Sequence, residues 1–582
     1  MAKEYLGRRV KGELALTERV AISFAKFHLY DELTEHLHQY AKHYPGFFAL
    51  ESIGKSHEGR EVWAATITCL ATGAAADKPA LYVDANIHAG EVTGGTAALY
   101  LIDYLLTRYG VDPMITSLLN TRTFYVLPRI NPDGVELYLT TPKVLRSSVR
   151  PYPDFRQDED PPGLHEEDID HDGQILRMRI RDDLRGAWRA DFADPRLMVE
   201  RLPLDAGMPF YHLFSEGVVR DHHSNLVERV ELPFPLVPTK YGLDLNRNFP
   251  SGYSPLTAGS GPFPLSEPET RNQVEFVNKH KNIAGVILYH TWGGVLFRPH
   301  STIPDKDFAP GDIALYEAVG QLGTETTGYP VVCCYGDVFS GVFDDWCFEQ
   351  LGLLSFTPEL WDPVGRAAPE EKVDPLRKKT SADWRKLELK LLQWNDRELA
   401  GEGFVPWHEI EHPQFGKVEL GGWKVKTCRQ NAPLHLLKGE CHRMTLFTLA
   451  YAQALPEVQI DEITVEKVAE NVYSVHAVVS NRGYLSTNIT EQAKKQQAVR
   501  TDIVRLEYPA DAELINSEHQ YEIGHLQGYH AGQKVWFYHV APPQKGMVRV
   551  KWNVRTSQTN TSVTVKLISQ RGGTRSQAVT LC

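Results

Sequence analysis

Residues 80–96 read ALYVDANIHAGEVTGGT, and this stretch decides the fold of the chain around it. Residues 81–83 are strand formers, the next residues are small or polar, and from Glu91 apolar residues recur at helical spacing. The pattern therefore predicts a strand, a tight loop and a helix. His88 falls in the loop and Glu91 in the first turn of the helix, so both side chains can face one point above the edge of the sheet.

An imidazole and a carboxylate that converge at the C-terminal end of a strand are typical of a metal site, and open α/β sheets bind ligands in the crevice at that edge. The spacing alone is weak support, because His-x-x-Glu also begins at His408 and at His519. A function for His88 and Glu91 therefore depends on what the rest of the chain brings to them.

Composition and charge narrow the class of protein. The chain has 582 residues, 42% of them hydrophobic and 23% charged, which is typical of a globular protein with two domains. A formal net charge of −12 predicts neither a nucleic-acid partner nor an anionic membrane partner. No stretch approaches the roughly 20 apolar residues of a membrane span, and the opening residues lack the apolar core of a signal peptide. We therefore expect a cytoplasmic protein, whose oligomeric state the sequence leaves open.

The number and spacing of the cysteines argue against two structural features. The chain has seven cysteines, and none forms a Cys-x-x-Cys pair. This pattern predicts neither a disulfide framework nor a structural zinc-thiolate site.

Strand and helix patterns divide the chain into two domains. Alternating strands and helices over residues 1–456 predict an α/β fold, in which a mixed, mostly parallel sheet carries helices on both faces. Two parts of this domain depart from the pattern: an acidic, proline-rich insertion at about 150–240 and an extra polar segment at about 362–436. Residues 457–582 alternate between apolar and polar positions, which predicts an all-β sandwich as an accessory domain.

The acidic insertion contains a partial calcium-loop pattern. Asp168, Asp170 and Asp172 alternate and are followed by Gly173, as in the first half of such a loop. The twelfth position is Arg179, where a bidentate Glu is expected. The sequence therefore leaves two interpretations open, a bound Ca²⁺ and a solvated acidic loop.

Several short motifs fall at predicted strand ends and occur together in one order. They are HAGE (88–91), NPDG (131–134), LRSSVR (145–150), DLNRN (244–248), YHTW (289–292) and the stretch from DDW to PEL (344–360). In this order they resemble the motifs of zinc metallocarboxypeptidases of the carboxypeptidase A type, peptidase family M14, over about residues 22–456. Each motif is short, and it is their joint occurrence that makes the resemblance specific.

The resemblance implies a catalytic Zn²⁺ held by His88, Glu91 and His290. Two imidazoles and one carboxylate leave zinc an open position at which a water becomes a good nucleophile. By the same resemblance, Asp244 orients the His88 ring. Glu359 is the general base that takes the proton of the zinc-activated water during hydrolysis of the C-terminal peptide bond. An acidic residue in the apolar stretch SFTPEL is costly unless it is functional or paired, which agrees with that role.

The resemblance also implies how a substrate is bound. Arg146, fifteen residues after Asn131, corresponds to the arginine that stabilises the oxyanion, and Arg150 would add a second positive charge to the cleft. Asn246 and Arg247 correspond to the clamp for the terminal carboxylate.

Two further assignments concern the loop and helix that precede Glu359. Tyr335 resembles the family's mobile tyrosine, although two extra residues separate it from Asp345 and Trp346. Asp344 occupies the position that lines the pocket for the departing side chain, as in the carboxypeptidase B type, which prefers C-terminal Lys or Arg. The alternative is that Asp344 or Asp345 only caps the following helix.

Three functional hypotheses follow. The leading one is a zinc carboxypeptidase that acts on a peptide with a free C-terminus. The second is a zinc amidohydrolase that acts on a non-standard amide, such as an acyl-amino acid, a cell-wall peptide or a side-chain-linked glutamate. The third is a non-catalytic binding protein on this scaffold, which is weakened because no expected catalytic residue is replaced.

Overall fold

The computed structural model describes residues 20–152, 161–220, 236–336, 339–369, 380–531, 535–536, 539–540 and 546–582. The opening residues on which the cytoplasmic prediction rests lie outside this range, as do parts of the acidic insertion and of the extra segment.

The α/β region, residues 20–456, contains two blocks of alternating strands and helices. Before residue 153 the described chain forms α1 (Tyr30–His43), β1 (Phe48–Lys55), β2 (Glu61–Ile67), β3 (Ala80–Ala85), α2 (Val92–Arg108), α3 (Pro113–Thr121), β4 (Thr123–Leu127) and α4 (Pro132–Thr140). The described parts of the insertion form β5 (Gly163–Glu166), β6 (Arg177–Arg181), β7 (Trp188–Ala190), β8 (Met198–Glu200), β9 (Tyr211–Ser215) and β10 (Gly217–Arg220). The second block comprises α5 (Pro268–Lys279), β11 (Ile283–Thr291), β12 (Val295–Arg298), α6 (Pro310–Thr327), β13 (Val331–Cys333), α7 (Phe343–Leu351), β14 (Leu354–Leu360) and α8 (Pro363–Ala367).

The remaining elements complete the α/β region and form the C-terminal domain. The first group is α9 (Ser381–Glu398), β15 (Phe404–His412), β16 (Gly416–Trp423) and α10 (Leu434–Ala454). The second group is β17 (Val458–Ala469), β18 (Val472–Asn481), α11 (Glu491–Lys495), β19 (Asp502–Glu507), β20 (Glu513–Leu514), β21 (Gln520–Gly524), β22 (Val535–Trp536), β23 (His539–Val540), β24 (Met547–Arg555), β25 (Thr561–Ser569) and β26 (Gly573–Leu581).

The central sheet has eight strands in the order β1-β2-β4-β3-β11-β14-β12-β13. Its middle strands β4, β3, β11 and β14 are parallel, while β1, β2 and β12 add antiparallel pairs. The parallel centre places the carboxyl ends of four strands at one edge, where ligands bind in folds of this kind. The predicted mixed, mostly parallel sheet is confirmed.

Helices cover both faces of this sheet, so the central strands are buried on both sides. On β3, Leu81, Val83 and Ala85 belong to the core shared with α1, α2, α6 and α10. Ala80 and Tyr82 point the other way, into the core formed with α5 and α7. Burial on both faces explains why residues 80–83 of this strand are all apolar.

The insertion and the extra polar segment form one structure, which the sequence did not predict. Their strands make a six-stranded sheet in the order β15-β16-β6-β9-β7-β8. Arg179 of β6 lies opposite Glu419 of β16, and its guanidinium donates two hydrogen bonds to that carboxylate at 2.8 and 2.9 Å. Strands of three to five residues in the insertion are too short to show a period, and the pairing of β6 with β16 joins residues that are 240 positions apart.

The C-terminal region is the predicted all-β sandwich, and it packs against α7. Its sheets have the orders β17-β18-β24-β20 and β21-β19-β25-β26 around one apolar core. Helix α7 ends at Gly352, where a Cβ would lie 2.2 Å from the Ala493 nitrogen. Thr490 Oγ1 donates to the Gly352 carbonyl at 2.7 Å, and Gln492 Nε2 donates to the Glu349 carbonyl at 2.8 Å. Two backbone carbonyls of α7 are therefore satisfied by the sandwich.

Among the described residues, no helix is both long enough and apolar enough to cross a membrane.

Candidate active site

The predicted strand, loop and helix at residues 80–96 are present, and the loop is held by its own polar groups. Asn86 follows β3 with a positive φ of 56°, a conformation that Asn tolerates, and its amide donates to the Glu91 carbonyl at 2.7 Å. Helix α2 then approaches β11 closely, because a Cβ on Gly94 would lie 2.8 Å from the Tyr289 carbonyl oxygen. This close approach sets Glu91 beside His290.

His88, Glu91 and His290 converge as a cluster of three buried metal donors. His88 Nδ1 lies 2.8 Å from Glu91 Oε1, and His290 Nδ1 lies 3.1 Å from Glu91 Oε2. Each residue is only 3% exposed. Donors around one tetrahedral Zn²⁺ are about 3.3 Å apart, given bonds of about 2.0 Å. The donor types and their spacing therefore fit a catalytic zinc site.

Asp244 lies behind the cluster and faces the other nitrogen of the His88 ring. Its Oδ1 is 3.0 Å from His88 Nε2, and its Oδ2 accepts a hydrogen bond from Arg146 Nε, also at 3.0 Å. Burial alone would raise the pKa of this carboxyl, but the charges of His88 and Arg146 hold it well below its usual value. Asp244 is therefore an anion placed to orient the His88 ring so that Nδ1 faces Glu91.

Electrostatics also keep Glu91 ionised. Burial opposes this, yet His88 and His290 lower the pKa of the Glu91 carboxyl below its usual range. The backbone N–H of Thr291 donates to Glu91 Oε2 at 3.1 Å, which stabilises the same charge. A buried carboxylate is thus ready to bind a cation.

Glu359 lies opposite His290 in the register of β11 and β14. Its Oε2 is buried and has no hydrogen-bond partner within the part of the chain that the structure describes. Burial, together with the charge of Glu91, raises the pKa of this carboxyl to about 8. A bound divalent cation would act in the opposite direction. An unpaired carboxyl beside a metal cluster is suited to exchange protons with a substrate or a water.

One cavity of about 410 Å³ brings most of the predicted residues together. Those that line it are the three metal donors and the predicted catalytic and substrate-binding groups His88, Glu91, Arg146, Asn246, Arg247, His290, Asp344 and Glu359. The Nε group of Arg146 is bound to Asp244, and the Arg146 side chain lines this cavity.

The predicted carboxylate clamp is preorganised. Asn246 Oδ1 accepts the backbone N–H of Phe343 at 3.0 Å, which fixes the orientation of its amide. Arg247 is 8% exposed, donates to the Asn246 carbonyl, and has its guanidinium carbon 4.8 Å from the centre of the Phe339 ring. No ion pair to Arg247 is formed within the described residues, so its charge is available to an anionic ligand.

Asp344 lies in the first turn of α7 and lines the same cavity as Arg247. Its Oδ2 accepts a hydrogen bond from Thr357 Oγ1 at 3.0 Å. The alternative that Asp344 or Asp345 caps the helix is wrong, because Val342 is the N-cap residue and no side chain caps α7. Asp345 turns away and accepts the backbone N–H of Ser301.

Two predicted substrate-binding residues do not reach the cavity. Arg150 Nε donates a hydrogen bond to Glu267 Oε2 at 2.8 Å, and Glu267 is the N-cap residue of α5. The charge of Arg150 is therefore paired there and is not added to the cleft. Tyr335 is 50% exposed and does not line the cavity. The turn that carries Tyr335 is tied back by the Gly336 N–H, which donates to the Ser301 carbonyl.

Phe339 and Trp292 line the cavity although they were not predicted to do so. Phe339 lies a few residues before α7 in the sequence. Trp292 is the last residue of the YHTW motif and is 40% exposed. A tryptophan two residues after the predicted ligand His290 was the signal that the sequence offered.

Comparisons with known proteins agree with this geometry. The zinc carboxypeptidase family model matches residues 33–170 and 214–382, more than half of the chain. A model of a domain of unknown function, DUF8731, matches residues 457–580.

Individual proteins match the chain at low sequence identity or over a short part of its length. The chain is 24% identical to carboxypeptidase A2 of Rattus norvegicus over 373 residues, which is 62% of this chain and 68% of that protein. It is 33% identical to carboxypeptidase M of Mus musculus over 123 residues, 21% of this chain and 28% of that protein. A crystal structure of thrombin activatable fibrinolysis inhibitor is 17% identical, with a TM-score of 0.42, and the match covers 75% of this chain and 77% of that one.

The family match and the metal cluster together define the class of protein. The chain belongs to the zinc carboxypeptidase family, whose members are metal-dependent hydrolases. It is accordingly a zinc metallocarboxypeptidase that acts on the C-termini of peptides.

Proposed function

We propose that this enzyme removes one residue from a peptide with a free C-terminus, using Glu359 as general base and Arg247 as the carboxylate clamp. One observation carries this proposal. A buried guanidinium without an ion-pair partner among the described residues shares a cavity with the three metal donors His88, Glu91 and His290. A terminal carboxylate bound at Arg247 would place the last peptide bond of the chain near that cluster.

The residues of the chain then have distinct tasks. His88, Glu91 and His290 would hold zinc, which when bound polarises the scissile carbonyl and acidifies a water. Glu359 accepts the proton of the attacking water and returns it to the nitrogen of the leaving amino acid. Arg146, held by Asp244, donates to the oxygen on which negative charge develops. Asn246 and Arg247 bind the terminal carboxylate and so orient the peptide.

The clamp can be tested with matched acid and amide substrates. We expect a blocked dipeptide with a free carboxylate to be hydrolysed, chelation to abolish the activity, and zinc to restore it. The corresponding C-terminal amide should be a poor substrate, because it offers Arg247 no charge. Arg247→Ala should lower kcat/KM on the acid about 30-fold or more. The measurement is steady-state kinetics on both substrates.

Arg150→Ala is the matched control, since that arginine is paired with Glu267 outside the cavity and its loss should leave the kinetics near wild type. Equal rates on the acid and the amide would contradict the clamp. Such a result would favour the second hypothesis, a zinc amidohydrolase with a non-standard substrate.

We also propose that Asp344 selects a basic C-terminal residue. Its carboxylate is 4% exposed and lines the cavity that contains Arg247. A carboxylate there attracts an incoming cation and repels an acid. We expect kcat/KM for a substrate ending in Arg to exceed that for matched substrates ending in Leu or Glu by about tenfold or more.

Asp344→Ala tests the origin of that preference. The variant should lose the advantage of Arg and keep its activity on the Leu substrate, since Leu makes no ion pair. If wild type does not prefer Arg, or if the preference survives the substitution, Asp344 does not determine selectivity.

Calcium binding by the acidic loop stays a prediction, and the mechanism does not use it. Carboxylate oxygens of Asp168, Asp170 and Glu216 lie within 4.8 Å of one another, whereas Asp172 is not part of this group. Both oxygens of Glu216 accept backbone N–H groups, and Asp168 accepts those of Asp172 and Gly173. Arg179, at the twelfth position of the loop pattern, is paired with Glu419 instead.

A further inference from the structure

A second cleft, of about 900 Å³, adjoins the catalytic cavity. Its walls come from strands β6 to β9, β15 and β16 of the inserted six-stranded sheet, from β5 and from α9. Arg146 and Trp292 line both this cleft and the catalytic cavity, so the two spaces meet at these residues. The inserted sheet, which the sequence did not predict, therefore forms one side of an extended groove.

The proposed positions of the terminal carboxylate and of the scissile carbonyl define the direction in which a peptide lies along this groove. Arg247 and Asp344 line the catalytic cavity and do not line the second cleft. A substrate whose terminal carboxylate lies at Arg247 and whose scissile carbonyl lies at Arg146 must continue past Arg146. The residues on the acyl side of the scissile bond therefore pass Trp292 and enter the cleft.

The cleft walls are aromatic, and most of their charges are already paired. Trp188, Trp292, Phe404, Trp407 and Trp423 line the cleft. Such rings offer large rigid faces at little cost in conformational entropy.

Two groups of contacts show how charges on the cleft walls are paired. The carboxylate of Glu388 accepts hydrogen bonds from Arg429 at 2.8 and 3.0 Å and from the Trp423 indole at 2.8 Å. Arg196 is paired with Asp194 and Asp396. The walls therefore suit apolar side chains better than charged ones.

We propose that this cleft binds the acyl side of the peptide over several residues and prefers large apolar or aromatic side chains there. The proposal rests on the proposed function, because the direction of the peptide depends on the clamp at Arg247. The volume is sufficient, since pockets for small ligands measure about 300–1,000 Å³. Each extended residue advances the chain by about 3.3 Å, so several residues can lie along the cleft.

The test compares peptides that share a C-terminal residue and differ only upstream. One series is a blocked dipeptide, tetrapeptide and hexapeptide with glycine at the added positions, and a second series has phenylalanine there. With the zinc-loaded full-length enzyme, we expect the phenylalanine hexapeptide to exceed the dipeptide in kcat/KM by about tenfold, mainly through a lower KM. Glycine should give little gain.

Trp188→Ala should remove most of the gain from phenylalanine, and Trp188→Phe should restore part of it. Trp188 lies on β7, lines the cleft and does not line the catalytic cavity, so dipeptide hydrolysis should stay at the wild-type rate. That rate also shows that the variant is folded. Phe192→Ala is the matched control, because Phe192 is 74% exposed in the same insertion and does not line the cleft.

The outcomes separate the two proposals. If no blocked dipeptide is hydrolysed, the proposed function fails. If dipeptides are hydrolysed but phenylalanine gives no gain over glycine, or if Trp188→Ala keeps the gain, the assignment of the cleft is overturned while the proposed function stands.

Discussion

Glu359→Gln is expected to retain zinc and to lose turnover about 10²- to 10⁴-fold. The substitution removes the proton acceptor at the cluster and leaves the donors His88, Glu91 and His290 unchanged. The loss should appear in kcat, because a general base acts in the transition state and contributes little to the binding of the substrate. The measurements are metal content after dialysis and kcat on a blocked dipeptide.

Glu269→Gln is a matched control for this variant. Glu269 is also buried, and burial raises its pKa to about 7, but it lies on α5 and does not line the catalytic cavity. It should keep wild-type kcat, which would show that neutralising a buried carboxyl does not by itself abolish activity. A near-normal kcat in Glu359→Gln would contradict the mechanism.

His88→Ala and His290→Ala are expected to lose the metal itself. Each removes one of three donors, and two remaining donors cannot complete the His₂Glu set of a catalytic zinc site. The expected result is a strongly reduced zinc stoichiometry after dialysis, with activity lost in parallel. Elemental analysis of the purified variants measures this directly.

His408→Ala controls for histidine substitution in general. His408 begins a second His-x-x-Glu of the same spacing, but it lies on β15 and does not line the catalytic cavity. Full zinc content is expected there. Stoichiometric, tightly held zinc in His88→Ala or His290→Ala would show that the ligand assignment is wrong.

The convergence of His88 and Glu91 could be predicted because it depends on local sequence. A strand, a loop and a helix within one stretch of the chain fix both residues. His290 and Glu359 were predicted from the resemblance to the family's motifs. Each lies near the end of an apolar strand, and parallel strands bring such ends to the same edge.

The side chains around the substrate were harder to predict because they depend on long-range contacts. Arg150 carries the expected charge, yet Glu267, more than one hundred residues later, draws it out of the cleft. Tyr335 shares its turn with Phe339, and the sequence does not show which of the two rings faces the cavity. The inserted sheet is the extreme case, since Arg179 and Glu419 are separated by 240 residues.

The contact between α7 and the sandwich bears on how these two domains are inherited. Helix α7 has nine residues, a length of about 14 Å, and carries Asp344 near its start and Gly352 directly after its end. Only glycine fits at Gly352, and donors from Thr490 and Gln492 satisfy carbonyls at this end. Loss of the sandwich would expose those carbonyls to water at the far end of the helix that carries Asp344. We therefore expect the two modules to be inherited together.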